Sequence, residues 1–219
     1  MTPNIELARQ NMIENQVRTW NVLDPRVLDT LGSVRREDFV PAAYRTMAFS
    51  DLPLPLGHGE VMMKPVVEGR LLQALDLQSD DSVLEIGTGS GYLTACMARM
   101  ARHVASVDLH AEFTRAAQDA LSRAGIDNVT LETGEAVHAW QPADRHDVVV
   151  VTGAVPDVPE RFLGWLKPGG RAFVIHGRSP VMRAVLLESE GNGQYREQSL
   201  FETDLPYLVH AAPAARFSF

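Results

Sequence analysis

Glu85-Ile86-Gly87-Thr88-Gly89-Ser90-Gly91 places three glycines directly behind a carboxylate, between an apolar run that reads as a strand and a segment that reads as a helix. Glycine lets the backbone turn sharply there and approach a ligand closely, and the carboxyl ends of strands are where α/β sheets bind small molecules. A second acid, Asp108 (followed by Leu109), ends the next predicted strand, where a carboxylate is placed to accept hydrogen bonds from both ribose hydroxyls of an adenosyl group. A third, in Gly134-Glu135-Ala136, follows the strand after that, within expected reach of an adenine amine. A glycine-rich turn alone is only what a tight strand–helix junction needs. The recurrence of acids at successive strand ends points instead to a nucleoside ligand.

The glycine spacing is G-x-G-x-G, neither the dinucleotide G-x-G-x-x-G nor a phosphate-cradling P-loop with its Lys-Ser/Thr. A pyrophosphate would want the helix N-terminus, whereas three carboxylates suit a ligand that carries a positive charge. S-adenosylmethionine, with its sulfonium, is the cofactor these residues predict. The seven histidines show no metal-ligand spacing, so no metal is expected. Cys96 falls on the apolar face of a predicted helix and reads as inert packing.

The elements that must hold these groups follow from periodicity. The chain has 219 residues, with 45% apolar and 22% charged side chains, enough for a substantial core. Its net charge of −8 argues against a nucleic-acid or anionic-membrane partner. The leading segment holds Glu6 and Glu14 and no apolar run, so it does not read as a secretory signal, and a cytoplasmic location is expected. Helices are predicted over 5–19 and from Asp24-Pro25, whose buried stripe is Val27, Leu28 and Leu31. The stretch 50–65, with three prolines and two glycines, reads as a long functional loop without strand or helix period.

From residue 66 the pattern alternates. Helices are predicted over 68–77, from 92, over 111–125 and over 157–166, and strands over 82–86, 103–107, 128–132, 147–152 and 171–176. Lys167-Pro168-Gly169-Gly170 reads as a turn, and 185–188 with 195–201 as a hairpin. Such alternation implies a mostly parallel α/β sheet covered on both faces. One domain is expected, with an N-terminal helical arm and loop (1–65), a cofactor-binding core (66–180) and C-terminal strands (181–219).

Val83-Leu84-Glu85-Ile86-Gly87-Thr88-Gly89-Ser90-Gly91-Tyr92, together with Leu166-Lys167-Pro168-Gly169-Gly170, resembles the class I methyltransferases. Val34-Arg35-Arg36-Glu37-Asp38-Phe39-Val40-Pro41 and Leu54-Pro55-Leu56-Gly57-His58-Gly59 narrow the resemblance to the protein-L-isoaspartate O-methyltransferases. It runs from about residue 12 to 180 and rests most firmly on 34–110. It implies a doubly wound, Rossmann-like sheet with an N-terminal helical extension. It also implies methylation of isoaspartyl carboxylates in damaged proteins, with Glu85, Gly87, Gly89, Gly91 and Asp108 on S-adenosylmethionine. Where that family reads Gln-Thr-Ile-Ser-x-Pro, this chain reads Glu60-Val61-Met62-Met63-Lys64-Pro65, so apolar Val61 and Met63 stand at the hydroxyl positions. Val61 and Met63, with His58 and Lys64, are the acceptor-side candidates that the resemblance indicates. Two alternatives go with it: a member that methylates another acceptor, and a protein that binds the cofactor without turnover.

Overall fold

The computed structural model describes residues 4–213; the ends of the predicted arm (1–3) and of the predicted C-terminal segment (214–219) lie outside the described residues. Its centre is a seven-stranded sheet of β3 (Ser82–Ile86), β4 (His103–Asp108), β5 (Val129–Thr133), β6 (His146–Val155), β7 (Leu166–Arg178), β8 (Val181–Gly191) and β9 (Gln194–Thr203), in the order β5-β4-β3-β6-β7-β8-β9. The pairings from β5 to β7 are parallel, and β8 and β9 add antiparallel. Val148–Val151 are fully buried because β6 lies mid-sheet with both faces covered. The sheet is doubly wound and Rossmann-like, with a helical N-terminal extension.

The order reverses between β3 and β6. Chain leaving β3 crosses to β4 on one side, while β6 pairs on the other, and a crevice opens at their carboxyl ends. The helices α4 (Tyr92–Met100) and α5 (Ala111–Arg123) supply the crossovers from β3 to β4 and from β4 to β5, α3 (Pro65–Leu75) leads into β3, and α6 is one turn, Glu160–Leu163. The arm contributes α1 (Ile5–Met12) and α2 (Pro25–Ser33), whose Met12, Val27 and Leu31 join the same core as Leu72, Cys96 and Val83.

Several expected elements differ. The helix predicted over 5–19 leaves α geometry at Ile13, runs as a π turn to Val17 and a 3₁₀ turn to Trp20, and stops at Asn21 in the left-handed region. The helix predicted over 157–166 is only α6, because Pro156 and Pro159 precede it and Gly164 follows. The predicted Lys-Pro-Gly-Gly turn is absorbed into β7 by a register shift against β6. The predicted hairpin is longer than its apolar residues suggested; Gly191-Asn192-Gly193, all at positive φ, make its turn. The predicted 50–65 loop contains a small two-stranded hairpin, β1 (Leu54–Gly57) and β2 (Glu60–Met62), joined through Gly57, His58 and Gly59 at positive φ.

After β9 the chain returns to the middle of the sheet. Ala154 N–H donates to Pro206 O at 2.9 Å and Leu208 N–H to Ala154 O at 2.9 Å, while Tyr207 Oη donates to Gly177 O at 3.0 Å. Leu208 rests where a side chain on Gly153 would stand, since a Cβ there would lie 2.6 Å from Leu208 Cδ2.

Candidate active site

The turn after β3 is shaped by steric exclusion. Gly87 has φ +99°, and a Cβ on it would lie 2.2 Å from Thr152 Oγ1. That hydroxyl is held against the turn, donating toward Ile86 O at 2.9 Å and Gly87 O at 2.7 Å. Gly89 and Gly91 also have positive φ, and a Cβ on Gly91 would lie 2.8 Å from Ala117 Cβ on α5. Gly91 therefore sets helix packing and does not line the crevice. Thr88 Oγ1 meets Ser106 Oγ at 2.6 Å, and Ser90 Oγ accepts from Tyr92 N–H at 3.3 Å.

Asp108 fastens this turn to the end of β4, accepting Gly89 N–H at 2.9 Å and His110 N–H at 2.8 Å. Gly134 N–H donates to Asp108 O at 2.8 Å, which draws the next strand end alongside. Glu135 accepts the backbone N–H groups of Val137 (2.9 Å), His138 (2.9 Å) and Ala139 (3.2 Å). Burial pushes its carboxyl up, but these donors and the nearby His138 outweigh it and hold the group below the usual carboxylate value.

These parts wall a cleft of about 840 Å³. Glu85, Gly87, Thr88, Gly89, Ser90, Asp108, Leu109, Gly134, Glu135 and Ala136 all line it. The expectation of three charged carboxylates is corrected at one position. Glu85 is fully buried; its Oε2 accepts from Thr94 Oγ1 and from Ser106 Oγ, at 2.6 Å for the latter, while Oε1 has no partner. Burial pushes its pKa up to about 8 despite those donors, so at neutral pH it mostly holds its proton.

The hairpin β1–β2 covers the other side, and Leu56, Glu60, Val61, Met62 and Met63 line the cleft. Met62 and Met63 are also buried in the core, and Val61 packs against it. Lys64 and His58 are not brought to this wall. Lys64 precedes α3 and lines a second cavity of about 410 Å³ with Val61, Met63 and Asp204. His58, at the hairpin tip, stacks on His110 with ring centroids 4.1 Å apart and planes 12° from parallel, and Phe113 meets both rings edge-on.

Some groups in or behind the cleft wall had no counterpart among the predicted site residues. Arg36, fully buried, donates from Nε to Ala48 O at 2.8 Å and from Nη2 to Met63 O at 2.7 Å, and it pairs through Nη1 with Glu68. Glu68 borders the cleft, and burial pushes its pKa up to about 7 against the pull of Arg36. Thr152, Leu208 and Val209 line it as well. Thr152 follows the apolar run Val148–Val151 within β6 and was findable by that position; Leu208 carries no local signal. The Cys96 thiol is buried on α4, and burial pushes its pKa well up, which leaves it inert.

Among the described residues, no helix is long and apolar enough to cross a membrane. The family model for protein-L-isoaspartate(D-aspartate) O-methyltransferase matches residues 7–204. The protein-L-isoaspartate O-methyltransferase 2 of Pelobacter propionicus is 35% identical over 209 residues, covering 95% of this chain and 93% of the relative. That of Myxococcus xanthus is 41% identical over 153 residues, covering 70% and 72%. A Plasmodium falciparum chain described as a protein-L-isoaspartate O-methyltransferase, solved with S-adenosyl-L-homocysteine, superposes with a TM-score of 0.79 at 19% identity, covering 91% of this chain and 97% of its own.

Proposed function

Because the chain belongs to the protein-L-isoaspartate O-methyltransferase family of S-adenosylmethionine-dependent enzymes, we propose that it methylates the free carboxylate of isoaspartyl residues in damaged proteins or peptides. The family match across residues 7–204 carries this reading. The cleft fits the cofactor on two observations: in the backbone cradle a side chain on Gly87 would clash with Thr152 and one on Gly89 would crowd Leu56, and Glu85, which lines the cleft, has a buried Oε1 without a partner. When bound, S-adenosylmethionine supplies an electrophilic methyl group on a positively charged sulfur.

The residues proposed to hold it are Glu85, the turn Gly87-Thr88-Gly89-Ser90, which Gly91 closes against α5, Asp108 with Leu109, and Gly134-Glu135-Ala136. Asp108 offers carboxylate lone pairs that its two backbone donors leave free, as a ribose diol requires. An acceptor carboxylic acid of pKa about 4 is ionised at neutral pH, so this chain need supply no general base. Its task is to orient the acceptor and keep water out. Leu56, Val61 and Met63 form the water-excluding wall, and Arg36 fixes the end of the hairpin through the Met63 carbonyl. No side-chain hydroxyl stands at Val61 or Met63 to hold the acceptor, so backbone N–H groups of the hairpin are the donors that this reading requires.

A single domain belongs to this proposal, because the arm and the sheet share one core. So does a reducing compartment such as the cytoplasm, in keeping with the lone buried Cys96. The test is transfer of labelled methyl groups to an isoaspartyl peptide and to its aspartyl twin. Transfer to the first alone is the expected result. Transfer to neither, with labelling of other components of a cell extract, would overturn the choice of acceptor and favour a retargeted member whose pocket is less polar at Val61 and Met63.

A further inference from the structure

At the rim of the cleft, three side chains with metal-ligand chemistry converge from two distant segments. Glu135 and His138 belong to the turn after β5, and His210 follows the segment that crosses back over β6. His138 Nδ1 lies 3.5 Å from Glu135 Oε2, and His210 Nδ1 lies 3.7 Å from Glu135 Oε1. All three ligand atoms fall within 4.8 Å of one another.

These separations exceed the 2.7–3.2 Å usual for a direct N–H···O hydrogen bond. They approach the edge of about 3.4 Å expected between ligands that sit about 2.1 Å from one tetrahedral ion. The carboxylate is already oriented: its Oε2 accepts two backbone N–H groups, whereas Oε1 accepts only that of Val137 and keeps a lone pair on the side of His210. Both imidazoles are more than half exposed, with side-chain exposures of 68% and 55%, so they are free to turn onto an ion, and solvent can complete its coordination. Two imidazoles and one carboxylate suit zinc-class divalent ions better than magnesium or calcium, which prefer oxygen alone.

We propose that Glu135, His138 and His210 bind one divalent transition-metal ion of the zinc class, which staples the C-terminal segment to the turn after β5. Glu135, Leu208 and Val209 all line the cleft, so the ion ties together two parts of its wall. Glu135 is shared with the proposed cofactor set, but zinc binding is read without cofactor and the variants are at the two histidines, so failure of this site leaves the methyl-transfer reading intact, and the converse holds.

The experiment uses the full chain, free of any histidine tag and stripped with chelator, titrated with ZnCl₂ by calorimetry and with CoCl₂ by visible absorption. The expected result is one equivalent bound, with cobalt giving the visible absorption bands of a low-coordinate nitrogen–oxygen site. His138→Ala and His210→Ala are each expected to weaken binding by at least about tenfold. Because both side chains are exposed, circular dichroism is expected to match the unsubstituted chain. Binding by the double variant as tight as by the unsubstituted chain would overturn the proposal, as would the absence of any zinc binding.

Discussion

Replacing Glu85 by Gln separates the charge of this acid from its shape. In the folded chain burial raises its pKa from 4.5 to about 8, whereas the unfolded chain exposes it to water. Between those two values the unfolded state has released a proton that the folded state still holds, so the folded state binds more protons and stability falls as pH rises. At 1.36 kcal/mol per unit of pKa difference, the loss across the window is about 5 kcal/mol. The stabilising contribution is therefore fully present below pH 4.5 and lost as pH passes through about 8. Glu85→Gln has no proton to lose there. Its amide oxygen can accept from Thr94 and Ser106, while its NH₂ takes the place of the unpartnered Oε1. An unsatisfied buried amide costs about 1–3 kcal/mol at every pH, which offsets the curve without tilting it. Urea unfolding followed by circular dichroism across the window is expected to show the variant gaining on the parent as pH rises. Glu68, which titrates in part of the same window, is common to both proteins and largely cancels from the difference. Parallel curves for the two proteins would refute the reasoning.

Two further sets of substitutions address the acceptor side. Arg36→Met strands the Glu68 carboxylate in the core and removes the donor to the Met63 carbonyl, with an expected cost of about 3–5 kcal/mol in urea unfolding. Adding Glu68→Leu is expected to recover most of that loss, and a double variant as unstable as the single one would count against the pairing. Val61→Thr with Met63→Ser restores hydroxyls to the hairpin and is expected to raise kcat/KM on the isoaspartyl peptide by about tenfold or more. Cofactor affinity, read by calorimetry, should not change. No gain from a folded, cofactor-binding variant would argue against this assignment of the hairpin.

What could be read from residue order was what local pattern encodes. The strand before Gly87, the helix after Gly91 and the acids at the ends of the next two strands each follow from a short window of sequence, and the structure draws Asp108 and Glu135 to one cleft. The small hairpin was hidden because strands of four and three residues, interrupted by Pro55, leave no period to detect. The Arg36–Glu68 pair joins residues 32 positions apart and exists only once α3 lies against the segment after α2. The protonation of Glu85 was likewise out of reach, because its cause is burial beneath the turn, a property of the packed molecule rather than of the residue type. His210 meets Glu135 only through the return of the chain over β6, and motif spacing does not record that path.

That return also bears on when the cleft is walled during synthesis. The ribosome delivers every glycine and acid of the turn early, and the parallel strands can assemble around them as they emerge. Leu208 and Val209 come late, and Leu208 is the side chain that fills the space above Gly153. A nascent chain halted before Asp204 would hold the whole glycine turn yet leave one flank of its crevice open to water. That flank closes only after residues made well after the glycine turn fold back over β6.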